Sequence, residues 1–128
     1  MTNVGISMYF TSGRVRMLYS TIVELDYPRY IHLRVNESKK QLFIEKCERD
    51  KNSFHIIYDG IDKKTERKTI NEYCCHFNSL RFLSYISRLI GVPEDSPSLR
   101  FPGRLLPDSK TIYINLNRYV VVGDQEKD

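Results

Sequence analysis

The side chains best suited to metal or thiol chemistry are three cysteines and three histidines. They are Cys47, Cys74, Cys75, His32, His55 and His76. Structural zinc sites need ligands two to four residues apart, so that a loop can turn both toward the ion, and neither C-x-x-C nor H-x-x-x-H occurs. The consecutive Cys74 and Cys75 would point to opposite faces of a strand. We predict no metal site, with one of this pair in the core and the other near the surface.

Nucleophilic catalysis would need a thiol or hydroxyl beside a base that a third group holds in place. Cys75 and His76 are adjacent in sequence, which does not fix their geometry. The chain has no G-x-S-x-G, P-loop, G-x-G-x-x-G or H-E-x-x-H motif. Residues distant in sequence, such as Asp26 and His55, could still supply acid-base chemistry. Because no catalytic or cofactor-binding motif is present, we predict a protein without enzymatic activity and without a cofactor.

Positive and aromatic side chains indicate binding instead. Arg81, Tyr85 and Arg88 recur at i, i+4 and i+7 and share one stripe of a predicted helix. Neither arginine has an acidic residue three or four positions away. Arg88 suits the negative C-terminal end of the helix, whereas the helix dipole opposes Arg81 in the first turn. A binding partner would explain Arg81, and so would a carboxylate brought near by the fold.

The predicted outer faces of three strands repeat this composition. They carry Arg14 and Arg16, then Tyr30, His32 and Arg34, then Tyr113 and Asn115. If these strands join one sheet, arginines and tyrosines alternate on its surface, which suits single-stranded nucleic acid because guanidinium groups contact phosphates and rings stack on bases. The alternative is that solvated sheets often carry Tyr and Arg as cross-strand pairs with no other purpose.

Period-two alternation and turn residues predict the hairpins that would position these side chains. The predicted strands are 6–10 and 14–18 around Gly13, 31–35 and 42–47 around a turn at 37–40, then 53–58 and 70–77, and finally 98–106 and 111–122 around a turn at 107–110. Residues 61–69 predict an exposed loop or hairpin tip. Pro102 and Gly103 make 98–106 an edge or bulged strand, because proline cannot donate to a ladder.

One amphipathic helix is predicted at about 79–90. Its core-facing stripe is Phe82, Leu83, Ile86, Leu89 and Ile90. Asn78 or Ser79 can cap its start, and Gly91 ends it. A short helix is predicted at about 21–25, capped by Ser20 and stopped before Pro28.

Composition sets the class of protein. The 128 residues are 41% hydrophobic and contain neither an 18-residue apolar run nor a signal-peptide pattern. We expect a soluble cytoplasmic α+β protein, built mainly of antiparallel β-hairpins, with a single domain at 1–122 and a flexible polar tail at 123–128. The odd number of cysteines favours free thiols.

The predicted function is binding of nucleic acid or a nucleoprotein through a basic, aromatic-containing surface, consistent with a formal charge of +4. The predicted binding residues are Arg14, Arg16, Tyr30, His32, Arg34, Arg81, Tyr85, Arg88 and Tyr113. The alternative is a protein-binding inhibitor or adaptor, for example a phage or mobile-element accessory factor that blocks a nucleic-acid-handling enzyme. No membrane partner is expected.

Overall fold

The computed structural model describes residues 4–59, 61–62, 67–68 and 74–122, and this part of the chain contains twelve strands and two helices. In chain order they are β1 (Gly5–Tyr9), β2 (Arg14–Met17), α1 (Tyr19–Glu24), β3 (Tyr30–Asn36), β4 (Gln41–Cys47), β5 (Phe54–His55), β6 (Ile57–Asp59), β7 (Ile61–Asp62), β8 (Arg67–Lys68), β9 (Cys74–Asn78), α2 (Leu80–Ile90), β10 (Leu99–Leu106), β11 (Thr111–Asn115) and β12 (Val120–Val121). Strand pairing in these ranges is antiparallel, as predicted.

The main sheet curls into a nearly barrel-shaped form. Its strand order is β5-β3-β4-β11-β10-β1-β2-β9-β6, with β12 against β10. β5 and β6 lie at opposite ends of this order although Ile56 alone separates them in sequence. The single strand predicted at 53–58 is therefore wrong. The buried Ile56 donates its N–H to the Arg29 carbonyl at 2.9 Å, and the chain crosses there from one end of the sheet to the other.

β10 joins two halves of this barrel. Leu99–Pro102 pair with β1, whereas Gly103–Leu106 pair with β11. We call β5, β3, β4, β11 and the second half of β10 the β3 sheet, and β6, β9, β2, β1, β12 and the first half of β10 the β1 sheet. Of the two alternatives predicted for 98–106, an edge strand or a bulged strand, the edge strand is wrong, because β10 is an interior strand. Proline is tolerated because it lies where β10 exchanges partners and bends from one half to the other.

Side chains from both sheets fill the interior. The buried set includes Ile31, Leu42, Ile44, Ile112 and Ile114 from the β3 sheet, and Ile6, Met8, Val15, Met17, Phe77 and Phe101 from the β1 sheet. The alternation of inward and outward residues follows from the two-residue period of a strand. The outer faces of both sheets consequently carry the polar positions.

Helix α2 has the predicted position, stripe and ends. Phe82, Leu83 and Ile86 are buried, and the rest of the stripe packs against the core. The Ser79 side chain accepts a hydrogen bond from the Phe82 N–H at 3.1 Å, and Gly91 ends the helix with φ of 79°. The capping serine and the left-handed glycine thus satisfy backbone groups that a helix leaves free at its ends.

Helix α1 forms near the predicted place but without the predicted cap. It begins at Tyr19, so Ser20 lies inside it, and the N-cap position is Leu18 with no side-chain hydrogen bond. The Thr21 hydroxyl bonds to both the N–H (2.7 Å) and the carbonyl (2.8 Å) of Gly5. Tertiary contact with β1 therefore fixes α1 in place of a local cap.

Two more predicted elements differ in length. The strand predicted at 111–122 is divided, because β11 ends at Asn115, whose side chain accepts from the Asn117 N–H at 2.9 Å in a turn before β12. The strand predicted at 70–77 is β9, and residues 70–73 lie outside the described residues. The tail at 123–128 also lies outside them. Within the described ranges, β7 and β8 form a separate two-stranded antiparallel sheet.

Neither described helix has the length and apolar character needed to cross a membrane.

Candidate functional site

Four planar side chains form a row across the outer face of the β3 sheet. Arg34, Phe43, Tyr113 and Arg104 are successive cross-strand partners on β3, β4, β11 and β10. The guanidinium carbon of Arg34 lies 5.3 Å from the centre of the Phe43 ring, and that of Arg104 lies 5.3 Å from the centre of Tyr113. The Phe43 and Tyr113 ring centres are 5.6 Å apart. We call these four side chains the arginine–aromatic row.

The row is accessible and bears excess positive charge. Arg34 and Arg104 are exposed, and the two rings are partly exposed. Arg34 donates from Nε to Glu45 Oε1 at 3.0 Å, which leaves its terminal amino groups to other acceptors. Arg104 forms no ion pair with any described residue. The row can therefore contact an anion at either end and a flat apolar group between.

A hollow of about 220 Å³ lies at the Arg104 end of the row. Its walls are Pro102, Gly103, Arg104, Tyr113, Asn115 and Arg118. The exposed Arg118 adds a second cation without a described ion-pair partner. Gly103 contributes only backbone to the hollow, because a Cβ there would point toward the interior, 2.7 Å from Cδ1 of the buried Ile114. The hollow thus combines a ring, an amide and two guanidinium groups.

Tyr30 and His32 lie on the same face, beside the row. The Tyr30 ring stacks on His55 with centres 5.1 Å apart, and His32 Nε2 is 2.8 Å from Asp50 Oδ2. The Asn52 backbone N–H and the His32 ring lower the pKa of the Asp50 carboxyl. His32 is therefore held by a carboxylate, and the row itself is the less neutralised part of this face.

The predicted α2 stripe is separate from the row. The Tyr85 hydroxyl donates to the Glu37 carboxylate in the β3–β4 turn, and this bond raises the pKa of Tyr85 to about 12. Arg88 bonds to the Ser84 hydroxyl at 3.0 Å and lies 3.9 Å from Glu94. Arg81 is exposed and has no ion pair with the described residues. A carboxylate thus accounts for Arg88, and none in the described chain accounts for Arg81.

Arg14 and Arg16 lie on the other half of the barrel. Both are on β2, where Arg14 pairs with Tyr9 and Arg16 pairs with Ser7 in register. The fold consequently brings Tyr30, His32, Arg34 and Tyr113 to one face and places the other predicted binding residues elsewhere. Phe43, Arg104 and Arg118 were not among the binding residues predicted from the sequence. By alternation Phe43 lies on the face of β4 opposite to Leu42 and Ile44, but only the strand register shows that it adjoins Tyr113.

The thiol and imidazole groups do not converge. Cys75 is buried beside Met17 in the interior, whereas His76 lies on the opposite face of β9 next to Arg16. This confirms a core position for one of the adjacent cysteines. Burial is the main cause that raises the pKa of the Cys47 thiol. In the part of the chain that the structure describes, no three His, Cys, Asp or Glu side chains group as metal ligands.

Searches against protein-family models, curated proteins and solved structures returned no match for this chain.

Proposed function

We propose that the protein binds single-stranded nucleic acid on the arginine–aromatic row. The observation that supports this proposal is the continuous series of side-chain contacts that joins Arg34, Phe43, Tyr113 and Arg104 across four strands. Rings on a sheet surface stack on bases of any sequence, and guanidinium groups contact the phosphates that connect them. Arg118 beside the hollow supplies a further phosphate contact.

A single strand fits this surface better than a duplex. Phe43 and Tyr113 project from a sheet face, where only unstacked bases can reach them. In a duplex the flat faces of the bases are covered by their neighbours, so the rings would have no partner. The proposal therefore includes a preference for single strands over duplexes of the same length.

The test is fluorescence anisotropy with a labelled single-stranded oligonucleotide and its duplex. The double variant Phe43→Leu with Tyr113→Leu should lose most of its single-strand affinity. Tyr9→Leu is the matched control, because Tyr9 is paired in register with an arginine on the β1 sheet, as Tyr113 is on the β3 sheet. Equal affinity of the double variant and the wild type would refute the proposal.

A second candidate is a protein-directed inhibitor or adaptor. It is favoured by exposed apolar residues on and next to the short strand β12, namely Tyr119, Val120 and Val121, which are 39%, 59% and 55% exposed. Adjacent exposed apolar side chains are typical of protein contacts. Val121→Lys should then abolish binding to a purified partner, whereas Tyr113→Leu should not.

A further inference from the structure

A second concave site lies between α2 and the segment that leads into β5. It encloses about 460 Å³. Its lining includes Lys51, Ser79, Arg81 and Tyr85 at the rim and Phe54 and Phe82 below them. We call this site the α2 pocket. The proposed contacts on the arginine–aromatic row use none of these residues.

The rim of the α2 pocket attracts anions. Lys51 and Arg81 are both exposed, and neither forms an ion pair with a described residue. The carboxylates of Glu37 and Asp50, in the segments next to the pocket, are already bonded to Tyr85 and a histidine. The positive end of the α2 dipole adds to the two cations. An anion in this pocket would relieve the unfavourable position of Arg81 in the first turn.

The floor of the pocket is aromatic. Phe54 and Phe82 have ring centres 6.0 Å apart, with Phe54 only partly buried. Such a floor favours a flat or apolar group, and the rim favours a negative one. A ligand that satisfies both has a ring at one end and an anion at the other. Among common biological ligands this description fits a nucleotide with its phosphate.

The pocket borders the strand on which the row ends. Phe54 pairs in register with Ile31 at one end of β3, and Tyr85 reaches Glu37 just beyond the other end. Arg34 lies between these two points on the same strand. From His32 to Asn36 no described strand pairs with this edge of β3. Phe54 lies on the inner side of the sheet, so a strand of nucleic acid that crosses the row from β10 to β3 would reach the α2 pocket by passing around this open edge of β3.

We propose that the α2 pocket binds a nucleotide, with its phosphate between Lys51 and Arg81 and its base against Phe54 and Phe82. The nucleotide is either free or the phosphorylated end of a strand. The second source rests on the proposed function of the row, whereas the first does not. Both share the chemistry of a phosphate attached to an aromatic base.

The test measures two ligands on the same variants. Isothermal titration calorimetry with AMP and UMP, and with inorganic phosphate, reports the free ligand. Anisotropy with an oligonucleotide that carries or lacks a terminal phosphate reports the strand end. The test variant is Lys51→Gln with Arg81→Gln, and Arg88→Gln is the control on the same helix. Circular dichroism and thermal melting establish that each variant folds.

We expect the double variant to bind the mononucleotide, or the terminal phosphate, at least tenfold more weakly, and Arg88→Gln to bind like the wild type. If the double variant weakens binding of the mononucleotide alone, the pocket binds a free nucleotide. If a terminal phosphate strengthens oligonucleotide binding to wild type but not to the double variant, the pocket binds the end of a strand. Inorganic phosphate that binds as tightly as AMP would overturn the nucleotide assignment.

The two proposals fail separately. If Tyr113→Leu weakens oligonucleotide binding while neither the terminal phosphate nor the double variant changes any affinity, the pocket proposal is wrong and the row remains. If AMP binding depends on Lys51 and Arg81 but no oligonucleotide binds, the row proposal is wrong and the pocket remains. No binding of either ligand to the wild type refutes both.

Discussion

Replacement of Tyr113 by leucine should weaken single-strand binding far more than it weakens the fold. Stacking of one base on an aromatic side chain is worth about 1 to 3 kcal/mol. Loss of that stacking raises Kd by about 5-fold to 150-fold, since each 1.4 kcal/mol is a factor of about ten. We expect the upper part of this range, because Tyr113 also holds the neighbouring Phe43 ring and the Arg104 guanidinium in the row.

The cost to the fold is smaller. Tyr113 is partly exposed, and its packing against Phe43 is worth about 0.5 to 1.5 kcal/mol beyond the area buried. Its contact with the exposed Arg104 adds about 0.5 to 1 kcal/mol. A domain with a typical stability of about 5 to 15 kcal/mol stays folded after such a loss. Weaker oligonucleotide binding by Tyr113→Leu would therefore result from the altered surface and not from unfolding of the protein.

The assay is a titration of a labelled single-stranded oligonucleotide at 50 mM salt, followed by anisotropy, with circular dichroism of each protein. Tyr9→Leu makes the same chemical change on the β1 sheet and should leave Kd within a factor of about two. Binding of Tyr113→Leu within a factor of two of wild type would refute a stacking role for Tyr113. An equal loss of affinity in Tyr9→Leu would refute this role as well.

Three further predictions concern the fold that supports the surface. Gly103→Ala should lower the free energy of unfolding in urea by about 1 to 3 kcal/mol, because the new Cβ would lie 2.7 Å from the Ile114 side chain, and an unchanged midpoint would contradict this close packing. The Asp50 carboxylate accepts a hydrogen bond from the Asn52 N–H, which lowers the pKa of Asp50 in the folded protein. The ionised carboxylate therefore stabilises the fold above the ordinary pKa of about 3.9, and this stabilisation is lost as the pH falls through the lowered pKa of the folded state. The melting temperature of wild type should therefore exceed that of Asp50→Asn at pH 7 and approach it in acid. A difference that stays constant with pH would contradict a stabilising role for the ionised Asp50 carboxylate. The pKa of Tyr85 is raised to about 12, so its bond stabilises the fold below pH 10 and is lost between pH 10 and 12. Melting of wild type and Tyr85→Phe should differ at pH 8 and converge over that window, and a difference that persists at pH 12 would be evidence of another cause.

The rival explanation of the row is that arginines and tyrosines pair only to stabilise the sheet. It predicts that Tyr113→Leu and Tyr9→Leu reduce stability and that neither changes an affinity. A double-mutant cycle on Arg104 and Tyr113 separates the two ideas, because it can be measured in stability and in binding. Coupling in stability alone would favour the rival explanation, and coupling in binding favours the proposed one.

Local elements were predictable from sequence because local residues determine them. Ser79, the Phe82 stripe and Gly91 define α2, and Gly13 with its φ of 78° defines the first hairpin turn. What could not be predicted depends on which strands become neighbours. The division of 53–58 at Ile56 and the change of partners at Pro102 are tertiary events, which alternation does not encode.

The residues of the candidate site also separate into those that could be predicted from the sequence and those that could not. Arg34 and Tyr113 were predicted because alternation shows which face a residue occupies. Phe43 and Arg104 were missed because alternation does not show which strand lies alongside. The predicted single basic surface required that the strands carrying its residues lie side by side. The fold instead places Arg14, on β2, two strands away from β10.

A salt titration of oligonucleotide binding tests the central claim most directly. A single strand without terminal phosphates leaves the α2 pocket without its proposed ligand. If Arg34, Arg104 and Arg118 each neutralise one phosphate, log affinity should fall against log salt with a slope of about 2, since each contact on a single strand contributes about 0.7. That slope corresponds to roughly a fifteenfold loss between 50 and 200 mM salt. An affinity independent of salt, or no binding of any single strand at 50 mM, would contradict the account.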